Sequence, residues 1–252
     1  MASRPLLGFL GLFFLAGGIL LQFLVILSGG VHGSIEDQIY FLQASTSGIP
    51  AARNPSRWTF WSICGRDPSN GHNTNYGSPV PALPFDPPRN FHTRTNIPHQ
   101  FIGTHRFYYL SRFMFAFYLI ALFFAAIALF TGLLALCSRL GGYISGFNTF
   151  LALFFQTLTA ALMTAWTVMG RNHFRSNGQT ARLGVKAYAF TWTAMACFLI
   201  STILFCIGGS SGRKDYTTTR TSGGRFGRNQ SVRSRGSIID TESQHRVKDD
   251  YS

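Results

Sequence analysis

Charged side chains are absent from four long stretches of this 252-residue chain, and that absence governs the expected fold. The stretches are 6–28, 113–136, 146–169 and 187–208, and none of them contains histidine either. An apolar helix of about 20 residues crosses the hydrocarbon core of a bilayer, and each stretch is long enough to do so. We therefore expect an all-α membrane protein built on a four-transmembrane-helix bundle.

The same absence argues against several classes of membrane protein. Proton relays, ion-coupled carriers and voltage sensors depend on ionisable groups within the membrane. The four stretches supply none. The sequence therefore favours a scaffolding or organising role over transport.

Familiar enzyme signatures are also missing. The chain has no GxGxxG or Walker-type phosphate loop, no HExxH motif and no CxxC pair. We accordingly expect no catalytic residue, no cofactor, no metal site, no small-molecule substrate and no nucleic-acid partner.

The distribution of basic residues predicts the orientation. Nine basic residues lie in 209–252, and with four spans Arg4 and Arg139 lie on the same side as that tail. Three arginines in 170–186 count against this orientation. Because cytoplasmic segments carry the excess of Lys and Arg, we expect both termini in the cytoplasm.

This orientation gives the expected division of the chain. The cytoplasmic segments are the N-terminus 1–5, the turn 137–145 and the tail 209–252. The external loops are 29–107 and 170–186, and the transmembrane helices are 6–28, 108–136, 146–169 and 187–208.

The third span contains residues suited to helix packing. Thr157, Ala161 and Ala165 recur every four positions and predict a face of close helix approach. Asn148 and Gln156 are expected to form hydrogen bonds between helices rather than to line a pore. We interpret the nearby GxxxG of 142–146 as turn chemistry rather than a dimerisation motif.

The long loop carries the most specific local text, a Trp58-x-x-Trp61-x-x-Cys64-Gly65 motif. Aromatic residues alternate around it on both faces of an extended chain, which predicts a short strand and thus a small β element. The proline-dense segment 79–88 is expected to be extended loop.

These features together resemble the fungal SUR-seven/PalI family, in particular the tetraspan proteins of eisosomes. The resemblance rests on the tryptophan–cysteine motif, the Pro-Ala-Leu-Pro-Phe-Asp-Pro block, and the text Phe-Tyr-Tyr-Leu-Ser-Arg-Phe that opens the second span. It extends over about 6–209. It implies a plasma-membrane organiser in punctate cortical patches, linked to cell-wall integrity, endocytic sites and sporulation. The implied partners are membrane lipids, other cortical-patch proteins and further copies of the chain.

The cysteines depart from the family pattern, which pairs the loop cysteine with a second one. Segment 66–78 contains no cysteine, so Cys64 is either a buried apolar residue or a thiol available for an intermolecular bridge. Cys137 and Cys206 lie near the predicted cytoplasmic face. They are candidates for palmitoylation or small packing residues.

The tail is poor in hydrophobic residues and is expected to be disordered. Between 213 and 235 it carries seven basic residues that we expect to contact anionic inner-leaflet lipids, or to serve only as a topology signal. They are Arg213, Lys214, Arg220, Arg225, Arg228, Arg233 and Arg235. Interspersed candidate phosphosites, which would weaken this attraction, are Ser231, Ser234 and Ser237.

The leading functional hypothesis is therefore a non-enzymatic organiser of a fungal plasma-membrane domain. The alternative is an accessory sensor of the external pH response, because imidazole titrates near pH 6.5. Six of the seven histidines fall in the expected external loops: His32, His72, His92, His99, His105 and His173.

Overall fold

The computed structural model describes residues 4–31, 35–136 and 138–210. In this part of the chain the helices are α1 (Arg4–Ile26), the single-turn α2 (Pro87–Asn90), α3 (Arg106–Ala135), α4 (Arg139–Ser176) and α5 (Val185–Ser210). All except α2 are long and apolar enough to cross a membrane. The prediction of a four-transmembrane-helix bundle is confirmed.

Five short strands form one antiparallel sheet in the order β4-β3-β2-β1-β5. They are β1 (Leu42–Ala44), β2 (Ser56–Trp58), β3 (Ile63–Arg66), β4 (Asn73–Thr74) and β5 (Ala181–Leu183). Two 3-10 helices complete the long loop: Ile35–Gln38 precedes β1, and His99–Phe101 lies between α2 and α3. We call the described residues between α1 and α3, together with β5, the loop domain.

Strand β5 joins the two loops into one structure. It lies between α4 and α5, yet it pairs with β1 of the long loop, with Leu183 opposite Leu42. The Gly184 amide donates to the Phe41 carbonyl at 3.0 Å. A Cβ at Gly184 would lie 1.6 Å from the Tyr40 oxygen, so only glycine permits this approach. Both loops are therefore at the same end of the bundle.

The expected single strand around the tryptophan motif is a hairpin instead. The chain reverses between β2 and β3, and the Thr59 hydroxyl donates to the Ser62 carbonyl at 2.7 Å within the turn. A small β element is thus confirmed. Trp58 ends β2, whereas Phe60 and Trp61 lie in the turn that leads to β3. Trp58 and Phe60 are both buried in the core.

The connection between α3 and α4 is shorter than the expected turn 137–145. Helix α4 begins at Arg139, so Gly142 and Gly146 are helical and their interpretation as turn residues was wrong. A Cβ at Gly142 would lie 3.5 Å from the Gly209 Cα, and one at Gly146 would lie 3.6 Å from the Cys206 Sγ. These glycines allow α4 to pack closely against α5, as small residues do in membrane helices.

The predicted packing face of α4 is also wrong in part. Thr157 and Ala161 are exposed, and Asn148 donates to the Ile144 carbonyl of its own helix at 2.9 Å. Gln156 is fully buried and bonds to two other helices, as expected. The four-residue spacing was real, but nothing in the sequence showed which face of this helix meets its neighbours.

Helix α4 is much longer than a bilayer requires. At 1.5 Å per residue its 38 residues extend over about 57 Å, against a hydrocarbon core of about 30 Å. At its loop-domain end Trp166, Gly170 and Phe174 recur every four residues and all are buried. This face carries the loop domain.

Candidate functional site

The tryptophan motif lies in the aromatic core where the loop domain rests on the helices. Trp58 is 2% exposed. Its ring centroid lies 5.1 Å from that of Phe85 and 5.7 Å from that of Phe174. Phe85 in turn lies 4.9 Å from Trp166. One aromatic cluster thus joins β2, the proline-dense segment and α4.

Asn90 fixes the polar edge of Trp58. The Trp58 indole Nε1 donates to the Asn90 Oδ1 at 3.2 Å, and the same oxygen accepts from the Asp86 amide at 3.1 Å. The Asn90 Nδ2 donates to the Pro84 carbonyl at 3.2 Å. A buried indole N–H normally requires an acceptor. The end of α2, directly after the proline-dense segment, therefore supplies the partner for the motif's first tryptophan.

Trp61 and Ser62 attach the hairpin to the end of α1. The Trp61 Nε1 donates to the Ile26 carbonyl at 2.6 Å, and the Ser62 hydroxyl donates to the Gly29 carbonyl at 3.0 Å. The first bond satisfies the carbonyl of the last residue of α1, which lacks an intrahelical partner, and the second fixes the turn after the helix. Gly29 has a φ of +80°, and a Cβ there would lie 1.9 Å from the Thr59 Oγ1.

Ser111 connects the proline-dense segment to α3. Its hydroxyl accepts from the Phe85 amide at 2.9 Å and donates to the Phe107 carbonyl at 2.9 Å. In the Ser-Arg-Phe motif near the start of the second span, the serine therefore has a structural role.

Cys64 is fully buried on β3, which agrees with its interpretation as an apolar residue. Its thiol lies 3.7 Å from the Arg57 carbonyl oxygen and forms no disulfide. Burial raises the pKa of the Cys64 thiol to about 12, and the positive charge of Arg57 opposes this only partly. In this conformation the sulfur is unavailable to a second chain. A Cβ on Gly65 would make only ordinary contacts, so space does not require glycine there.

Arg57 is a central residue that sequence reasoning missed. Its side chain is 4% exposed and lies over the Tyr40 ring, with Cζ 4.2 Å from the centroid. It donates to the Gln43 Oε1 at 2.8 Å, and to the Asn73 Oδ1 and the Gly71 carbonyl at 2.9 Å. Burial lowers the pKa of the Arg57 guanidinium. Arg57 directly precedes Trp58 in the sequence, and nothing in the local pattern predicted that this charged side chain would be buried and would connect several strands of the sheet.

A second polar cluster lies within the bundle and draws on all four long helices. The Gln22 Nε2 donates to the Gln156 Oε1 at 2.6 Å, and the Gln156 Nε2 donates to the Thr191 carbonyl at 3.1 Å. The Thr191 hydroxyl is paired with the Tyr118 hydroxyl at 2.6 Å. These residues are fully buried. Interhelical bonds of this kind fix the register of a bundle in lipid.

The other sequence-predicted residues are not brought into one site. Cys206 is exposed on α5, whereas Cys137, His32 and all of the tail residues named above lie outside the described residues. His92, His99 and His105 are exposed, and the His173 ring packs 5.6 Å from Phe101. Within 4–31, 35–136 and 138–210, no group of His, Cys, Asp and Glu is suited to hold a metal ion.

The chain matches the SUR7/PalI family over residues 7–204. It is 39% identical to Protein SUR7 of Candida albicans over 79% of this chain and 73% of that protein. It is 36% identical to Protein SUR7 of Saccharomyces cerevisiae over 77% of this chain and 64% of that protein, so it spans just under two thirds of that relative. An uncharacterized plasma membrane protein of Saccharomyces cerevisiae is 34% identical over 81% of this chain and 68% of its own. With this extent of similarity, and with the four long helices described above, the chain belongs to the SUR7/PalI family.

Proposed function

We propose that this protein is a non-enzymatic organiser of a fungal plasma-membrane domain, an eisosome-type cortical patch. The observation that carries the proposal is the attachment of the loop domain to the bundle. Trp61 bonds to the end of α1, Ser111 on α3 bonds to Phe85, and Phe174 on α4 packs against Trp58. A domain fixed to three helices presents a constant surface beside the membrane, which suits lateral assembly.

The relatives support the place and the class of this function. They come from yeasts, and one is described as a plasma membrane protein. The proposal extends to cell-wall integrity, endocytic sites and sporulation, with cortical-patch proteins and further copies of the chain as partners.

We also propose that the loop domain is external and both termini are cytoplasmic. One of the three arginines that count against this orientation has a structural role, because the Arg175 Nε donates to the Ala181 carbonyl at 3.1 Å. Its presence is thus accounted for without reference to topology. The basic tail then faces the inner leaflet, where each basic residue contributes about 1 kcal/mol of attraction to anionic lipid. Modification of the tail serines would reduce that attraction.

A fluorescently tagged copy in living fungal cells tests the organiser proposal. We expect static, punctate cortical patches. A uniform plasma-membrane signal or an internal-membrane signal would contradict the proposal. Protease added to intact spheroplasts tests the orientation, since it should cleave the loop domain and spare a tag at the C-terminus.

The sensor hypothesis is distinguished by changing the external pH. For a sensor, a change in external pH alters the signalling output of the pH response. For an organiser, it alters only the pattern of cortical patches. Exposed His92, His99 and His105 are the residues to replace in that comparison.

A further inference from the structure

A basic cavity lies on the loop domain where it meets the start of α3. Its volume is about 490 Å³, within the range typical of small-ligand sites. Three arginines and a histidine from separate segments line it: Arg53 precedes β2, Arg89 lies in α2, His92 follows α2, and Arg112 lies in α3. The fold thus collects positive charge that is dispersed in the sequence.

The charge of this cavity is uncompensated. No aspartate or glutamate lines it, and in the described part of the chain no salt bridge joins these arginines to a carboxylate. Asp86 lies on the adjoining cavity, which it shares with Arg89. The Arg53 Nε is buried without a hydrogen-bond partner. A buried donor of this kind is unfavourable until an acceptor reaches it.

Two of the guanidinium groups are held against one ring. The Cζ atoms of Arg112 and Arg89 lie 4.7 Å and 5.5 Å from the Tyr108 centroid. Two positive charges near one ring repel each other, and an anion that contacts both guanidinium groups would reduce that repulsion. Planar guanidinium groups suit the oxygens of a phosphate, which they can contact in pairs.

The position of the cavity indicates where the anion comes from. Arg112 directly precedes the charge-free stretch that begins at Phe113, so we expect its guanidinium at the level of the lipid headgroups. The cavity wall also includes the apolar side chains of Val80 and Leu83, and Val80 is 40% exposed. A ligand with a phosphate beside an apolar portion fits this lining.

We propose that this cavity binds a phosphate-bearing headgroup, supplied by a phospholipid of the leaflet on the loop-domain side. It lies at the opposite end of the bundle from the C-terminal end of α5. The site depends on the loop domain and the start of α3, and it does not require the organiser function.

Native mass spectrometry of the purified full-length chain in detergent micelles tests this site. Phosphatidic acid, diacylglycerol and inorganic phosphate are the probes. The cavity variant is R53Q/R89Q/R112Q. The matched control is R66Q/R171Q/R182Q, which removes three loop-side charges outside the cavity lining. The basic tail is unchanged in both variants, so its contribution is equal.

We expect the cavity variant to lose at least tenfold in affinity for phosphatidic acid, and the control to lose less than twofold. Diacylglycerol should bind the wild type at least tenfold more weakly than phosphatidic acid. Inorganic phosphate that displaces the lipid at similar concentration would support the site and assign it to a soluble anion. Equal losses in both variants, or equal binding of diacylglycerol, would overturn the proposal.

A double variant guards against a folding defect. R89Q/R112Q changes only exposed side chains and should not disturb the core. It should retain the wild-type melting temperature and still lose several-fold in phosphatidic acid affinity. Unchanged affinity in this folded variant would also overturn the proposal.

Discussion

Replacing Trp58 by alanine should release the loop domain from the helices without unfolding the bundle. Trp58 is 2% exposed, and the change removes its ring contacts with Phe85, Phe91 and Phe174 together with its bond to Asn90. Truncation of a buried tryptophan costs about 3–5 kcal/mol. Since about 1.4 kcal/mol corresponds to a factor of ten, the open state of the loop domain should become about 10²- to 10⁴-fold more populated.

Hydrogen exchange of the purified full chain in lipid nanodiscs measures this opening. The Phe85 amide is the reporter, because it joins the loop domain to α3 by donating to the Ser111 hydroxyl at 2.9 Å. Its exchange rate should rise by a comparable factor, while amides of α1 and α5 stay protected. A separate cluster that includes Leu15 and Phe198 holds those helices.

The chain offers a matched control for the same truncation. Trp192 on α5 is 44% exposed, so W192A should leave the Phe85 amide protected. W58F, which retains an aromatic ring, should give an intermediate rate. Equal exchange in W58A, W192A and the wild type would refute the role assigned to Trp58.

Three further predictions concern single groups. Cys64 should resist N-ethylmaleimide at pH 8 in the folded protein, because with a pKa of about 12 only about 10⁻⁴ of the thiol is ionised. A cysteine introduced at exposed Thr95 should react within minutes. Rapid labelling of Cys64 would contradict its burial. In a double-mutant cycle, Gln22→Leu and Gln156→Leu should show a coupling of about 0.6 kcal/mol in unfolding from lipid or detergent, and strict additivity would show that their bond contributes nothing. Trp61→Phe should lower stability by about 1 kcal/mol in thermal melts, because the Ile26 carbonyl loses its donor, and an unchanged melting temperature would show that water replaces the indole.

Some features of this protein could be predicted from the sequence, and others depend on contacts between distant residues. The four membrane helices were predictable because the energetic penalty for charge in lipid applies to every residue of a span. Each span is therefore visible as an uninterrupted run without charged residues. The basic character of 213–235 was equally plain, since it is a property of composition. The tryptophan motif correctly located a β element in the long loop, but it did not show that the chain forms a hairpin there.

Tertiary structure decided the contacts between distant segments. The bond from Gln22 to Gln156 spans 134 residues, that from Trp61 to Ile26 spans 35, and that from Trp58 to Asn90 spans 32. Strand β5 has three residues, too few to show a period, and it exists because β1 offers an edge to pair with. Packing, not local preference, also selected which face of α4 is buried. The sequence therefore determined that the chain crosses the membrane four times, because lipid acts on each residue locally. The fixed loop domain and its basic cavity arose only when the folded chain brought remote side chains together.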